Sequence, residues 1–213
     1  NLKLDEMFIK SQPFGAVRKM VIHDGHEGPQ EIGVGNEFLT WLTDPVKNGG
    51  GALMDFGCYG ANLSTWLMKG KRPLSVVAVT QQIKSEIYPL VEDEATIVVT
   101  YPEAQAIIQA SWNWPFSRKD IEVYAERGFA IADRQGSREK SKANVPEEII
   151  AAPPLEKPGN DPFTYLAAVV RGEIKIQPTD LSALENNMIV MEILEAAKQS
   201  AKEGRVIHLN QKK

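Results

Sequence analysis

Residues 48–67 read Asn48-Gly49-Gly50-Gly51-Ala52-Leu53-Met54-Asp55-Phe56-Gly57-Cys58-Tyr59-Gly60-Ala61-Asn62-Leu63-Ser64-Thr65-Trp66-Leu67. From Ala52 to Lys69 this is the strongest helical stretch of the chain, stopped by Gly70 and Pro73. At about 100° per residue, Leu53, Phe56, Gly60, Leu63 and Leu67 share one narrow stripe. That stripe predicts packing on a sheet, with Gly60 permitting close approach. Asp55, Tyr59, Asn62 and Trp66 share a second stripe, roughly a quarter-turn away. A carboxylate, a phenol and an amide are thus stacked on one flank of a packed helix. Asp55 lies near the helix start, where the dipole favours its ionised form. The glycine triplet lets a backbone or ligand come close. Two readings stay open at this point: a reaction site, or a flank whose Tyr and Asn close local hydrogen bonds.

Downstream, residues 74–83, 95–101, 105–114 and 120–125 read as strands rich in Val, Ile, Thr and aromatics, and 129–133 adds a further short one. Short links between them favour antiparallel pairing, because a parallel pair needs a crossover of a dozen or more residues. Upstream, residues 2–10 form a short helix with Leu4, Met7 and Phe8 on one side. Residues 15–23 form a strand, 23–35 a loop with four glycines, and 37–42 a short helix. Beyond the strands, 136–159 is a polar, proline-bearing surface loop. Asp161-Pro162 then opens a helix ended by Gly172. Ser182 with Glu185 makes a capping box for a last helix that runs to about Lys202 before Gly204, and 205–209 is a final short strand. The sum is an α+β fold: one open, largely antiparallel sheet with helices packed on one face, a single domain over residues 1–213.

Composition narrows the function classes. The chain has 213 residues, 43% of them hydrophobic, and a net charge of −4 with scattered Lys and Arg. Nucleic acid and anionic membrane both want a concentrated basic surface, so neither is expected as a partner. No stretch approaches the roughly 18 apolar residues of a membrane span. A single cysteine, Cys58, excludes an internal disulfide framework.

The run from Asn48 to Leu67 resembles the glucose–fructose oxidoreductase / inositol dehydrogenase / rhizopine-catabolism (Gfo/Idh/MocA) family, whose pattern is a glycine triplet, an Asp, a His or Tyr four residues on, and an Asp or Asn three later. Phe14-Gly15-Ala16-Val17 is similar to the family's entry into the first strand of its second domain. The ending Gly204-Arg205-Val206-Ile207 after a long helix also fits. The resemblance covers the whole chain, and it covers only the family's second, substrate-binding domain. It implies Tyr59 as general acid/base at a sugar or polyol hydroxyl or carbonyl, with Asp55 as its polar partner and Asn62 as a substrate contact. Tyr stands where most members carry His. A phenol near its ordinary pKa is a poor base at neutral pH and needs a nearby cation. The family supplies a lysine from a Glu-Lys-Pro motif in its first domain. Glu156-Lys157-Pro158 matches those letters but lies downstream of Tyr59, in a proline-rich loop, and is read as coincidence. No G-x-G-x-x-G run opens a βαβ unit. The chain begins at Asn1, and the dinucleotide-binding domain is expected outside it. NAD or NADP would serve the intact parent, with no cofactor site on this chain. The cytoplasm is the default compartment, since any targeting signal would lie with the native N-terminus.

Other residues carry secondary expectations. His23-Asp24-Gly25-His26 offers two imidazoles without a third ligand at recognisable spacing, so no metal site is expected. His26, in the loop after the first strand, is a candidate substrate contact. Trp112 and Trp114 flank a strand end; Trp114 is a candidate for stacking on a sugar ring, with sheet-edge packing as the alternative. Cys58 reads as a small buried apolar residue and Arg118-Lys119 as a solvated turn. The uncovered sheet face is the expected surface for homo-oligomer contact. Two alternatives accompany the oxidoreductase reading: an NAD-dependent glycoside hydrolase of the same architecture, and a non-catalytic binding or dimerisation domain.

Overall fold

The computed structural model describes residues 4–10, 12–133, 136–140, 146–151 and 155–209. Among them run nine strands: β1 (Val17–Gly25), β2 (Ser75–Gln81), β3 (Glu94–Thr100), β4 (Gln105–Ser111), β5 (Arg118–Ala125), β6 (Phe129–Ala132), β7 (Gly136–Lys140), β8 (Glu148–Ala151) and β9 (Ile207–His208). They join in one open sheet of order β8-β7-β6-β5-β1-β4-β3-β2-β9. β1 pairs with β4 in parallel, and the other neighbours are antiparallel. The largely antiparallel expectation holds, with its exception at the centre. There the connection from β1 to β4 is long enough to carry both the helices of the site and a hairpin.

The helices are α1 (Asn36–Leu42), α2 (Ala52–Asp55), α3 (Gly57–Leu67), α4 (Pro162–Val170) and α5 (Leu184–Glu203), preceded by a π-helical turn at Asp5–Lys10. The predicted side of that first turn, Leu4, Met7 and Phe8, is buried. α3 lies across β1 and β4, and α5 lies across β2. The contact is close because of glycine: a Cβ on Gly60 would stand 2.4 Å from Ile108 Cγ2. Leu53, Phe56 and Leu67 from the same stripe are buried. On α5, the Ser200 hydroxyl accepts from the Ala78 amide at 2.9 Å and donates to the Arg205 carbonyl at 2.7 Å, fastening the helix end to β2.

Four expectations need correction. The helix over 52–69 is two helices, broken at Phe56, whose φ of −107° is stretched beyond the usual helical value while its ψ of −29° stays within the helical region. Gly51, Ala52 and Leu53 are all bonded to Glu92, so the first turn follows that tether while α3 follows the sheet. The capping box at Ser182 does not form. α5 starts after Ala183 with no side-chain cap, and the Asn187 amide reaches back to the carbonyls of Ala183 (2.8 Å) and Leu181 (3.0 Å) instead. Within the stretch read as a loop, 136–140 and 148–151 form a hairpin at the sheet edge. Charged side chains are a common guard on exposed edge strands and hide the strand pattern. Residues 141–145 and 152–154 of that stretch lie outside the described residues. Finally, Lys119 belongs to β5 rather than to a turn. By contrast, α4 starts as expected: Asp161 Oδ2 accepts from the Thr164 amide at 2.7 Å, with Pro162 in the first turn. Gly172 and Gly204 end their helices at positive φ.

Candidate active site

The glycine triplet places the site. Gly51 packs so tightly that a Cβ there would stand 1.9 Å from the Glu92 carbonyl oxygen. The Glu92 carboxylate accepts from the amides of Gly51 (2.8 Å) and Leu53 (3.1 Å), and its carbonyl accepts from Ala52 (3.0 Å). A carboxylate 41 residues away along the chain thus satisfies the orphan donors of α2. Asp55 follows one turn later. Its Oδ2 accepts from the Trp112 indole at 3.0 Å, and Trp112 is fully buried against Tyr88. Burial raises the Asp55 carboxyl above its ordinary value, outweighing the Trp112 hydrogen bond and the nearby His26 and Lys119. The expectation that the helix start would favour the ionised form is therefore reversed, because desolvation exceeds a dipole of a single turn.

Tyr59 sits on the first turn of α3, about half exposed (48%). Burial of the rest of the side chain, then Cys58, Asp55 and Asp24, raise its phenol above the ordinary value. Its ring lies beside Phe56, with centroids 6.3 Å apart, and Lys119 Nζ stands over it, 4.4 Å from the centroid. Lys119 Nζ also pairs with buried Asp24 at 3.0 Å. Tyr59, Asn62 and Leu63 wall a cavity of about 300 Å³ whose floor is Ile22, Ile121 and Ala132 and whose rim carries His23, Asp24, Lys119, Asp120 and Asp133.

The predicted residues divide into two groups. Tyr59 and Asn62 line the cavity. Asn62 Nδ2 also donates to the Leu181 carbonyl (2.9 Å) and to Asn187 Oδ1 (3.0 Å), tying α3 to the start of α5. Asp55, His26 and Trp114 are not among its lining. His26 stands edge-on to Phe56 at 4.8 Å, and its Nδ1 accepts from the Gly28 amide at 2.9 Å, which leaves Nε2 to carry the proton. Burial holds His26 below its ordinary pKa. Trp114 packs over Gly25 and beside His23, with centroids 6.3 Å apart. Phe56, Tyr59 and Lys119 stand as a partition between the cavity and a group made of half-buried Asp55 and His26 with buried Trp112.

Three residues of this arrangement have no local sequence signal: Glu92, Trp112 as a hydrogen-bond donor, and Lys119. The alternation of β5 was the available clue for Lys119, since Asp24 and Lys119 are register partners. Cys58 donates to the Asp55 carbonyl at 3.3 Å, and burial pushes its thiol up to about 11, which suits packing and not nucleophilic work. His23, Asp120 and Glu122 offer atoms within 4.8 Å of one another, but Asp120 is already bonded to His23 (2.8 Å) and paired with Arg118 (2.5 Å). Lys157 lies in an exposed turn away from the cavity lining. A larger trough, about 760 Å³, runs between α5 and β9, and its charged walls pair among themselves, Arg72 with Glu192 and Lys198 with Glu195. Among the described residues nothing cradles a dinucleotide: the glycine triplet is filled by Glu92, and no second sheet is present. No helix among them is long and apolar enough to cross a membrane.

No curated protein matches the sequence. Solved structures do. An aldose–aldose oxidoreductase from Caulobacter crescentus, complexed with glycerol, superposes with a TM-score of 0.76 at 21% identity, over 98% of this chain and 60% of that one. An inositol dehydrogenase homologue from Azotobacter vinelandii, complexed with NAD+, gives 0.74 at 17% identity, over 98% and 62%. The WlbA dehydrogenase from Bordetella pertussis, in complex with NADH and UDP-GlcNAcA, gives 0.70 at 20% identity, over 99% and 60%. The chain thus spans about 60% of the length of these relatives. Residues 6–131, more than half of the chain and including the whole of α2 and α3, match the GFO/IDH/MocA C-terminal domain, and the chain belongs to that family.

Proposed function

We propose that the chain is the substrate-binding domain of an NAD(P)-dependent oxidoreductase that moves a hydride to or from a carbon bearing a sugar or polyol hydroxyl. The observation that carries this reading is Tyr59, whose phenol side chain lines the 300 Å³ cavity while Asp55 lies one turn below it. A phenol raised by burial and by two carboxylates is protonated at neutral pH. In the direction of carbonyl reduction it donates its proton to the developing alkoxide; in the reverse direction it takes the hydroxyl proton once a cation stabilises the phenolate. Asp55, held by Trp112, sets the field at that phenol. Asn62 is the proposed substrate contact within the cavity; His26 and Trp114, which lie outside its lining, are proposed to meet only a ligand that extends past it. Among the described residues the glycine triplet is filled by Glu92, and dinucleotide binding is assigned, as part of the proposal, to a separate domain of the parent, with residues 1–213 as a single domain.

In the intact parent, Tyr59→Phe is expected to lower turnover of a sugar or polyol by ~10²–10⁴. Unchanged turnover would sink the assignment. Net conversion of NAD(P) during the assay distinguishes oxidoreduction from NAD-dependent glycoside cleavage, in which the dinucleotide is regenerated. Self-association is assigned to the open sheet face, where Val79 is exposed and Val77, Val98 and Ile107 are half-buried. Sedimentation of the chain and of Val79→Arg tests it: a monomer in both would remove the interface.

A further inference from the structure

We propose that Lys119 is a positioning residue for Tyr59: its ammonium, anchored by Asp24, clamps the phenol ring at the wall of the cavity. The inference rests on the acid/base reading of Tyr59. Asp24 and Lys119 are register partners across β1 and β5, so the backbone fixes where the lysine rises from the sheet. Asp24 is 5% exposed, and its Oδ1 lies 3.0 Å from Lys119 Nζ. From that anchor the ammonium stands 4.4 Å from the Tyr59 ring centroid and 5.3 Å from that of Phe56. One cation thus holds both aromatic rings of the partition, through the attraction of a positive charge for the ring face. Because Tyr59 is half exposed, this contact and the neighbouring Phe56 are what restrain its ring.

The charge around Tyr59 gives Lys119 a second effect. Asp24 faces it from β1, Asp55 and Cys58 from the helices and Asp133 from the end of β6, with His26 behind Phe56, while His23 and Asp120 bond to each other from the alternate positions of β1 and β5. Asp55 and Asp24 oppose ionisation of the phenol. Among the described residues, Lys119 is the cation that stands over its ring. At 4.4 Å from the ring centroid, the Lys119 ammonium favours the phenolate over the phenol, so removing it makes Tyr59 harder to ionise.

The test follows Tyr59 directly. In the full chain labelled at the tyrosine ζ-carbon, with Tyr59→Phe assigning the resonance, Lys119→Met should shift the Tyr59 titration to higher pH. Lys119→Arg should restore it, since a guanidinium keeps both the charge and the ring contact. In the intact protein Lys119→Met should lower kcat by about tenfold or more with little change in KM, the signature of a displaced catalytic group. A Tyr59 titration unmoved in Lys119→Met, or an Arg variant as impaired as the Met variant, would overturn the proposal. Lys119→Gln gives the same readout if the Met variant folds poorly. Full turnover in Tyr59→Phe would remove the functional reading and leave the Tyr59 titration as a separate measure of the clamp.

Discussion

At its first turn the α2–α3 unit is tied down from every side, whereas four residues later its flank opens onto a cavity. Gly51, Ala52 and Leu53 spend their amides on Glu92, and Asp55 is capped by a fully buried indole. Tyr59 has stacking neighbours on its ring and an exposed edge. The difference shows how one short stretch serves two demands. The locked end fixes where the helix stands on the sheet, and the open end presents a titratable group at a position so fixed. Preorganisation is built on the side that does not line the cavity.

Breaking the locked end should have the largest effect. Gly51→Ala places a methyl against a backbone carbonyl that cannot rotate away. It is expected to cost about 3 kcal/mol or more, with loss of cooperative thermal unfolding as the readout. Tyr59→Phe is its counterpart at the open end. The change removes one hydroxyl from a half-exposed side chain and should leave stability within about 0.5 kcal/mol while abolishing most turnover. If Tyr59→Phe destabilised the chain as Gly51→Ala does, the contrast between the two ends would collapse.

Asn62 stands between the two regimes and sharpens the boundary. It lines the cavity, yet its amide already bridges to Leu181 and Asn187 at the start of α5. Asn62→Ala should cost about 1–2 kcal/mol by chemical denaturation, because it takes the donor from Asn187 Oδ1 and leaves the Leu181 carbonyl to the Asn187 amide. A loss of stability without a rise in KM would assign Asn62 to the scaffold and remove it from the substrate contacts.

The two ends were also unequally legible in the sequence. Both stripes of the helix follow from local periodicity, so the close approach of Gly60 to the sheet and the shared flank of Tyr59 and Asn62 could be read without coordinates, whereas the break at Phe56 leaves Asp55 outside the cavity they line. What could not be read is whatever arrives from far along the chain. Glu92 breaks the helix at Phe56 by holding its first turn; Trp112 buries Asp55; Lys119 comes from a strand whose dibasic start looks like a turn. Local propensity also misplaced the start of α5, where Asn187 wins over Ser182 through bonds to Leu181 and Ala183. The ionisation of Asp55 shows the same limit most plainly. Helix position is local and favours the charged form, but burial is tertiary and reverses it.

That reversal supplies the smallest and most specific effect. Asp55 has a folded-state carboxyl raised above its ordinary value by burial. The folded chain therefore holds this proton more tightly than the unfolded chain does. As pH rises from the ordinary carboxylate pKa through the raised folded value, the Asp55 contribution to stability falls, and above that window its full cost is felt. Asp55→Asn keeps an acceptor for the Trp112 indole and removes the charge. At neutral pH the variant should melt at a higher temperature than the parent, by a few degrees at most. The difference should vanish below the ordinary carboxylate pKa, where the parent carboxyl is neutral in both states. The same variant should lose turnover in the intact protein, which would mark the buried charge as a functional cost of the locked end. An Asn variant less stable than the parent at every pH would mean that the carboxylate is a structural partner of Trp112, and Asp55 would then leave the site.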